Sequence, residues 1–261
     1  MADYLAHVER YPVLPPIKPG ELRDALPSCG PDHGEPMSDI LEDFRRQIVP
    51  AATHWNHPGF MAYFATSASG PGILGDMLSA TLNMNGMLWK TSPAVTELEQ
   101  VTLEWLRKWM GLPDFLFGIT FDTASTSSMH AIAAAREMVA PEVRTEGGGA
   151  GLILYTSEQS HSSIEKGAIA IGIGQKNVRK IAVDAEFRMR PEALEAAIEH
   201  DRASGLRPFC AVATVGTTST TSIDPVDAIA AIAERYGLWL HVDAAYAGVA
   251  AIAPELSLIH I

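Results

Sequence analysis

The sequence predicts an α/β fold: a mostly parallel sheet covered by helices and preceded by an N-terminal helical arm. Three observations carry this. From Phe117 onward short apolar runs (FGITF, GLILYT, VRKIAV, FCAVATV, LWLHV) alternate with helix-like segments beginning near Ser125, Ser160, Pro191 and Pro225, the order of βαβ units. The 261 residues are 47% apolar and 19% charged, enough to bury a core. Before that, prolines at 12, 15, 16, 19, 27, 31 and 36 fix φ and remove donors, which leaves an extended arm with short helices at most.

The intervening elements follow from caps and periodicity. Ser38 is the expected N-cap of DILEDFRRQIV, with Ile40, Leu41, Phe44 and Ile48 at helical spacing and Pro50 as its end. A loop rich in aromatics and a helix from about Pro71 to Asn83 come next. Ser92 to Met110 is the clearest helix: Pro93 at its first position, Glu97 and Glu99 near its start, Gly111 as its stop. Its stripe of Leu98, Val101, Trp105 and Trp109 is expected to be core. Residues 1–90 are read as an arm with helices, and 91–261 as the sheet domain. GGGAG at 147–151 is expected to be a flexible loop feeding a strand, and no internal repeat is present.

Composition removes several function classes. With 31 acidic against 19 basic residues the net charge is −12, the wrong sign for a nucleic-acid partner. Cys29 and Cys210 alone supply neither a disulfide framework nor a zinc site, which argues for a reducing compartment and no metal. The N-terminus lacks the pattern of an export signal, and no apolar stretch approaches the ~20 residues of a membrane span. A cytoplasmic protein is expected.

Parallel sheets bind ligands at the carboxyl ends of their strands, where polar residues interrupt the apolar runs here. In Asp122-Thr123-Ala124-Ser125 a helix N-terminus could hold a phosphate; Thr123 or Ser125 could equally just cap the helix. A dinucleotide site is disfavoured, since Gly172 and Gly174 are followed by Asn177 where a third glycine belongs. The run LWLHVDAAYAG delivers Asp243 to a strand end beside small alanines, with no cation adjacent in sequence. A buried carboxylate needs a cationic partner, and a protonated pyridine nitrogen would serve; a capping or salt-bridged Asp is the alternative. A metal is disfavoured, His241 being expected on the opposite strand face from Asp243. His161 follows another strand end, and Thr217 and Thr218 a third, where an ordinary turn is the bland alternative. Four strand ends each offering a group suited to one phosphopyridine ring outweigh four separate structural explanations.

These residues resemble the group II pyridoxal-phosphate-dependent decarboxylases, the family of DOPA, tyrosine and tryptophan decarboxylases. The similarity rests on THWNHPGFMAYFATSAS (53–69), SPAVTELE (92–99), DTASTSSMHAIAAARE (122–137), SEQSHSSIEKGA (157–168), VATVGTTSTTSID (212–224) and HVDAAYAG (241–248). It implies the fold type I transferase sheet, pyridoxal phosphate as cofactor and an amino-acid substrate. Ala124 and Ser125 would meet the phosphate, His161 and Ala245 would cover the two ring faces, Asp243 would pair with the ring nitrogen, and Thr218 would lie near the ring substituents. Trp55, Tyr63 and Phe64 would shape the substrate pocket, with Thr66 near the substrate carboxylate. The family is an intertwined homodimer, in which Asn85 and Met87 would reach the neighbouring pocket. Asp-Thr-Ala-Ser at the phosphate segment and Ala65 in place of a common proline suggest a bacterial-type member.

The resemblance also implies an incomplete chain. The family's Schiff-base lysine lies beyond HVDAAYAG, and Lys18, Lys90, Lys108, Lys166, Lys176 and Lys180 match no such motif. Leu256 to Ile261 reads as one frame of a transposon-type sequencing adapter (CTGTCTCTTATACACATC). The expectation is thus a truncated decarboxylase, acting on aromatic amino acids when whole. As it stands it would bind pyridoxal phosphate weakly, turn over little and expose an unpaired sheet edge. Glutamate or histidine decarboxylation, an aldehyde-forming variant and an inactive binding module are the alternatives.

Overall fold

Proline spacing allows the first 36 residues only short turns of helix. The computed structural model, which describes residues 2–64, 66, 68–148, 151–253 and 255, shows α1 at Ala2–Ala6, a 3₁₀ turn at Val8–Arg10 and α2 at Glu21–Ala25. The next helix starts one residue before the expected cap. α3 spans Met37–Asp43 behind Pro36, and Ser38 Oγ donates to Asp39 Oδ1 at 3.0 Å instead of capping. Nor does it stop cleanly at Pro50: Phe44–Ile48 widens into a π turn and Val49–Ala51 tightens into a 3₁₀ turn, since a residue without an N–H cannot continue the ladder. α4, Gly70–Leu82, is capped by Ser69, whose Oγ accepts the Gly72 N–H at 3.1 Å, and ends at left-handed Asn83.

The described residues form two compact units, divided between Met84 and Asn85. In the first, the arm is held by stacked rings: Tyr4, Tyr11 and His54 lie 4.7 to 5.6 Å apart, and Tyr4 Oη is 2.9 Å from His54 Nδ1. Ala65 and the Leu256–Ile261 tail lie outside the described residues.

The second unit opens with α5, Pro93–Trp109, started by Pro93 and stopped by Gly111 at φ +67° as expected. Its apolar stripe is not core. Leu98, Val101, Trp105 and Trp109 are 45 to 65% exposed, because no described element packs over that face. The FGITF run is not a strand either: residues 117–121 are irregular and Phe117 is 90% exposed, there being no described strand beside them to complete a ladder. Glu99 Oε1 holds the segment instead, accepting from the Thr120 N–H at 2.8 Å and its hydroxyl at 2.5 Å.

From α6 (Ala124–Val139) and α7 (Val143–Glu146) onward the βαβ reading holds. Gly149 and Ala150 of the glycine loop lie outside the described residues; Gly147, Gly148 and Gly151 have left-handed φ. Then come β1 (Leu152–Ser157), α8 (Ser162–Ala170), β2 (Val178–Ile181), α9 (Pro191–Ala203), β3 (Arg207–Thr214), α10 (Val226–Tyr236) and β4 (Trp239–Asp243). All ladders are parallel, in the order β2-β1-β3-β4.

Alternation along the strands divides the core. Ile153, Tyr155, Ala211 and Ala213 pack with Leu194, Ile198, Ile229 and Ile232 of α9 and α10. Leu154, Cys210 and Val212 pack with Ile132, Ile164 and Ala168 of α6 and α8. Burial of this kind stabilises by ~25 cal/mol per Å² of apolar surface removed from water. At the foot of α9, Asp201 takes the Tyr155 hydroxyl at 2.9 Å and an Arg179 guanidinium nitrogen at 2.8 Å, locking the helix to β1 and β2. From β1 the chain moves outward to β2, then crosses back to β3 on the other side of β1. The sheet therefore has a topological switch point between β1 and β3, and its carboxyl-end crevice is where such folds bind ligands.

Candidate active site

Four turns carry the residues expected at that crevice: one opens α6 with no strand before it, and three follow β1, β3 and β4. At the first, Thr123 is the N-cap of α6: its Oγ1 accepts the Thr126 N–H at 3.2 Å. The cap leaves exposed Ser125 free of that task, and the N–H groups of Ala124 and Ser125 have no acceptor among the described residues. Two unpaired donors at the positive end of a helix of 16 residues suit an anion.

His161 caps α8. Its Nδ1 accepts the Ser163 N–H at 3.2 Å and lies 2.9 Å from Ser163 Oγ. A backbone N–H can only donate, so Nδ1 is unprotonated and the ring proton sits on Nε2. Ser125 and His161 line the same cavity of about 250 Å³ between α6 and α8, with Thr126, Met129, Ser163 and Lys166.

The third turn follows β3. Residues 215–223 close a small loop in which Thr217 is fully buried, its Oγ1 accepting the Ser222 N–H at 3.0 Å. Thr217 thus holds its own turn, while Thr218, like Ser219 and Thr221 of the same loop, is exposed. Asp224 anchors the loop, one oxygen accepting the Met189 N–H at 2.7 Å and the other the Thr214 N–H at 2.8 Å. Nothing in an isolated Ser-Ile-Asp string signals this role.

Asp243 ends β4 opposite Thr214 and is 8% exposed. The one hydrogen bond to its carboxylate among the described residues is a long one, from the Ala245 N–H at 3.3 Å, and no ion pair reaches it among them. Ala245 is exposed beside it. His241 is not on the opposite face, contrary to expectation: residues two apart on a strand share a face. Trp239 packs with the α6/α8 core while Leu240 and Val242 pack with the other, and His241 Nε2 lies 3.2 Å from Ser128 Oγ of α6. Burial pushes the His241 pKa down, and Asp243 pulls it partly back.

The remaining predicted residues lie elsewhere in the sequence. In the first unit Trp55 stacks on Phe60 at 4.7 Å and on Tyr63 at 5.5 Å. Tyr63 has φ +57°, rare for a bulky residue, and Phe64 and Thr66 are exposed beside it. In the second unit Asn85 and Met87 are exposed, the Asn85 side chain accepting the Met87 N–H at 3.0 Å.

The family model described as the pyridoxal-dependent decarboxylase conserved domain matches residues 19–259. The chain belongs to this family. Tyrosine decarboxylase 2 of Arabidopsis thaliana is 42% identical over 98% of the chain and 49% of its own length. Phenylacetaldehyde synthase of the same plant is 42% identical over 98% of the chain and 54% of its own. Among solved structures, Catharanthus roseus tryptophan decarboxylase in complex with L-tryptophan superposes with a TM-score of 0.91 at 40% identity, over 97% of this chain and 56% of that one. The chain spans about half the length of the curated relatives it matches.

As a member of a pyridoxal-dependent family the chain is tested by one question: do its residues suit that cofactor? They do in chemical type. Unpaired N–H groups stand at a helix start, an imidazole stands at the next turn, and a buried carboxylate lacks a cation.

Proposed function

We propose that this chain carries the cofactor-binding part of a pyridoxal-phosphate-dependent carboxy-lyase that converts an aromatic L-amino acid to its amine and carbon dioxide. The observation that carries the reading is Asp243, a buried carboxylate with no ion pair among the described residues. Left so, it is costly; a pyridinium N–H would satisfy it. When bound, pyridoxal phosphate supplies an electron sink for the charge left as carbon dioxide departs. Asp243 keeps the proton on the ring nitrogen. The Ala124 and Ser125 N–H groups hold the phosphate, His161 and Ala245 cover the two ring faces, and Thr218 lies near the ring substituents. Trp55, Tyr63 and Phe64 select an aromatic side chain, and Thr66 approaches the substrate carboxylate. The exposed apolar residues of α4 and α5, among them Leu78, Leu98 and Trp109, support a homodimer in which Asn85 and Met87 reach the neighbouring site. The unpaired cysteines fit a reducing cytoplasm.

The test has two arms. Titration of the 261-residue chain with pyridoxal phosphate, followed by absorbance, should show binding that Asp243→Ala weakens at least about tenfold. With the reading frame taken from source DNA to its stop codon, labelled carbon dioxide should be released from tyrosine, tryptophan or DOPA. Binding indifferent to Asp243→Ala refutes the cofactor assignment; release from glutamate or histidine alone refutes the aromatic one; binding without release leaves an inactive module. A second reading, an aldehyde-forming variant, is favoured by the equal identity to phenylacetaldehyde synthase, and the product, amine or aldehyde, separates the two.

A further inference from the structure

Buried hydroxyls need partners, and the carboxyl ends of β1 and β3 carry three: Thr156 and Ser157, both fully buried, and Thr214, nearly so. Thr156 pairs with Val212, so the period of two puts Thr156 and Thr214 on the α6/α8 face. Thr214 in turn pairs with Asp243. All three hydroxyls meet at one atom. Ser160 Oγ accepts from Thr156 Oγ1 at 2.5 Å and lies 3.3 Å from Thr214 Oγ1 and 3.4 Å from Ser157 Oγ. The turn between is tied again by its backbone, Ser160 N–H donating to Ser157 O at 3.2 Å and Gln159 N–H to Ser157 Oγ at 3.1 Å.

We propose that Ser160 is a positioning residue for the cofactor site: its hydroxyl pins the turn that presents His161 onto β1 and β3. The imidazole and the Asp243 carboxylate are thereby held in one frame. This rests on the cofactor reading above. A serine hydroxyl donates once and accepts twice, so Ser160 can take the Thr156 proton and still donate to Thr214 or Ser157. Alanine at 160 would leave the Thr156 and Thr214 hydroxyls without a partner among the described residues. Relief comes only if the turn shifts, and His161 shifts with it.

The experiment uses the 261-residue chain with isotope-labelled histidine, His161 being assigned by its loss in His161→Gln. Its ring resonances and the pyridoxal phosphate dissociation constant are measured for wild type, Ser160→Ala, Ser160→Cys and Ser160→Thr. Alanine and cysteine should move the His161 resonances and weaken binding about five- to tenfold, the size of one lost hydrogen bond, and threonine should restore both. Wild-type resonances and affinity in Ser160→Ala, or no rescue by threonine, would overturn the proposal. If the alanine variant does not fold, cysteine against threonine decides. If wild type binds no pyridoxal phosphate the cofactor reading falls, while the resonances still decide on Ser160.

Discussion

Asp224 gives a sharp test of how the rim is held. Its two carboxylate oxygens accept from Met189 N–H at 2.7 Å and Thr214 N–H at 2.8 Å, and its own N–H returns to Thr214 O at 2.9 Å. The side chain is 1% exposed, so neither donor can turn to water. An asparagine there keeps one acceptor and sets its NH₂ against the other N–H; an alanine strands both. At ~1–3 kcal/mol per buried unsatisfied donor, Asp224→Asn should cost about 1–3 kcal/mol and Asp224→Ala about 2–6 kcal/mol. Against a domain stability of ~5–15 kcal/mol, the alanine variant can lose much of its folded population.

Urea unfolding followed by circular dichroism measures both, the midpoint shift times the slope giving the change. Burial pushes the Asp224 carboxyl up, against the two N–H groups that pull it down, while Asp184 adds to the rise. A carboxyl raised on folding contributes stability that is complete below the unfolded value of ~3.9 and is lost as pH rises through the folded one. Asparagine has no such dependence, so its cost should be larger near pH 4 than at pH 7. An alanine variant no worse than asparagine, or an asparagine cost below ~0.5 kcal/mol, would refute the account of two buried donors.

Four further outcomes follow from the geometry. Asp243→Asn removes the charge that lifts His241, so the His241 pKa, already low from burial, should fall further in an NMR titration. A base depressed on folding contributes stability present above its unfolded value of ~6.5 and lost as pH falls, so thermal melts should show acid lability that His241→Gln reduces. Thr123→Ala removes the α6 cap and should cost about 1 kcal/mol in urea unfolding, whereas Ser125→Ala, which caps nothing, should cost less than half of that. Gly216→Ala places a methyl 2.7 Å from Tyr246 Cδ1 at a backbone with φ +86°, and should lower the melting temperature through a loss of about 2 kcal/mol or more.

What the sequence made legible was whatever depends on local chemistry or on elements that pair within the chain. Pro93 and Gly111 bounded α5, and the four apolar runs after residue 150 became strands because each lies beside another. Phe117 to Phe121 has the same composition and failed, since a strand is a property of two segments and no described neighbour supplies the second. The α5 stripe failed as core for the same reason: periodicity shows which face is apolar, and only tertiary structure shows what covers it. His241 shares the Asp243 face because residues two apart on a strand do, a relation the strand period carries in the sequence itself.

The site divides along a similar line. Asp243 and His161 stand out in the sequence because an ionisable group at a strand end is unusual enough to ask for a partner. Thr156, Ser160, Thr214 and Asp224 do not, because small polar residues near turns are ordinary and their meaning lies in who meets whom. Ser160 and Thr214 are 54 positions apart, and their 3.3 Å separation follows from the parallel register of β1 and β3. The same register carries Asp243 to Thr214, and the His241 contact with Ser128 brings β4 against the helix that offers Ala124 and Ser125. Three turns distant in sequence thus share one rigid sheet edge. A ligand that needs an anion site, a ring face and a carboxylate at fixed spacing needs such an edge, since loops alone would have to be ordered at the cost of binding energy.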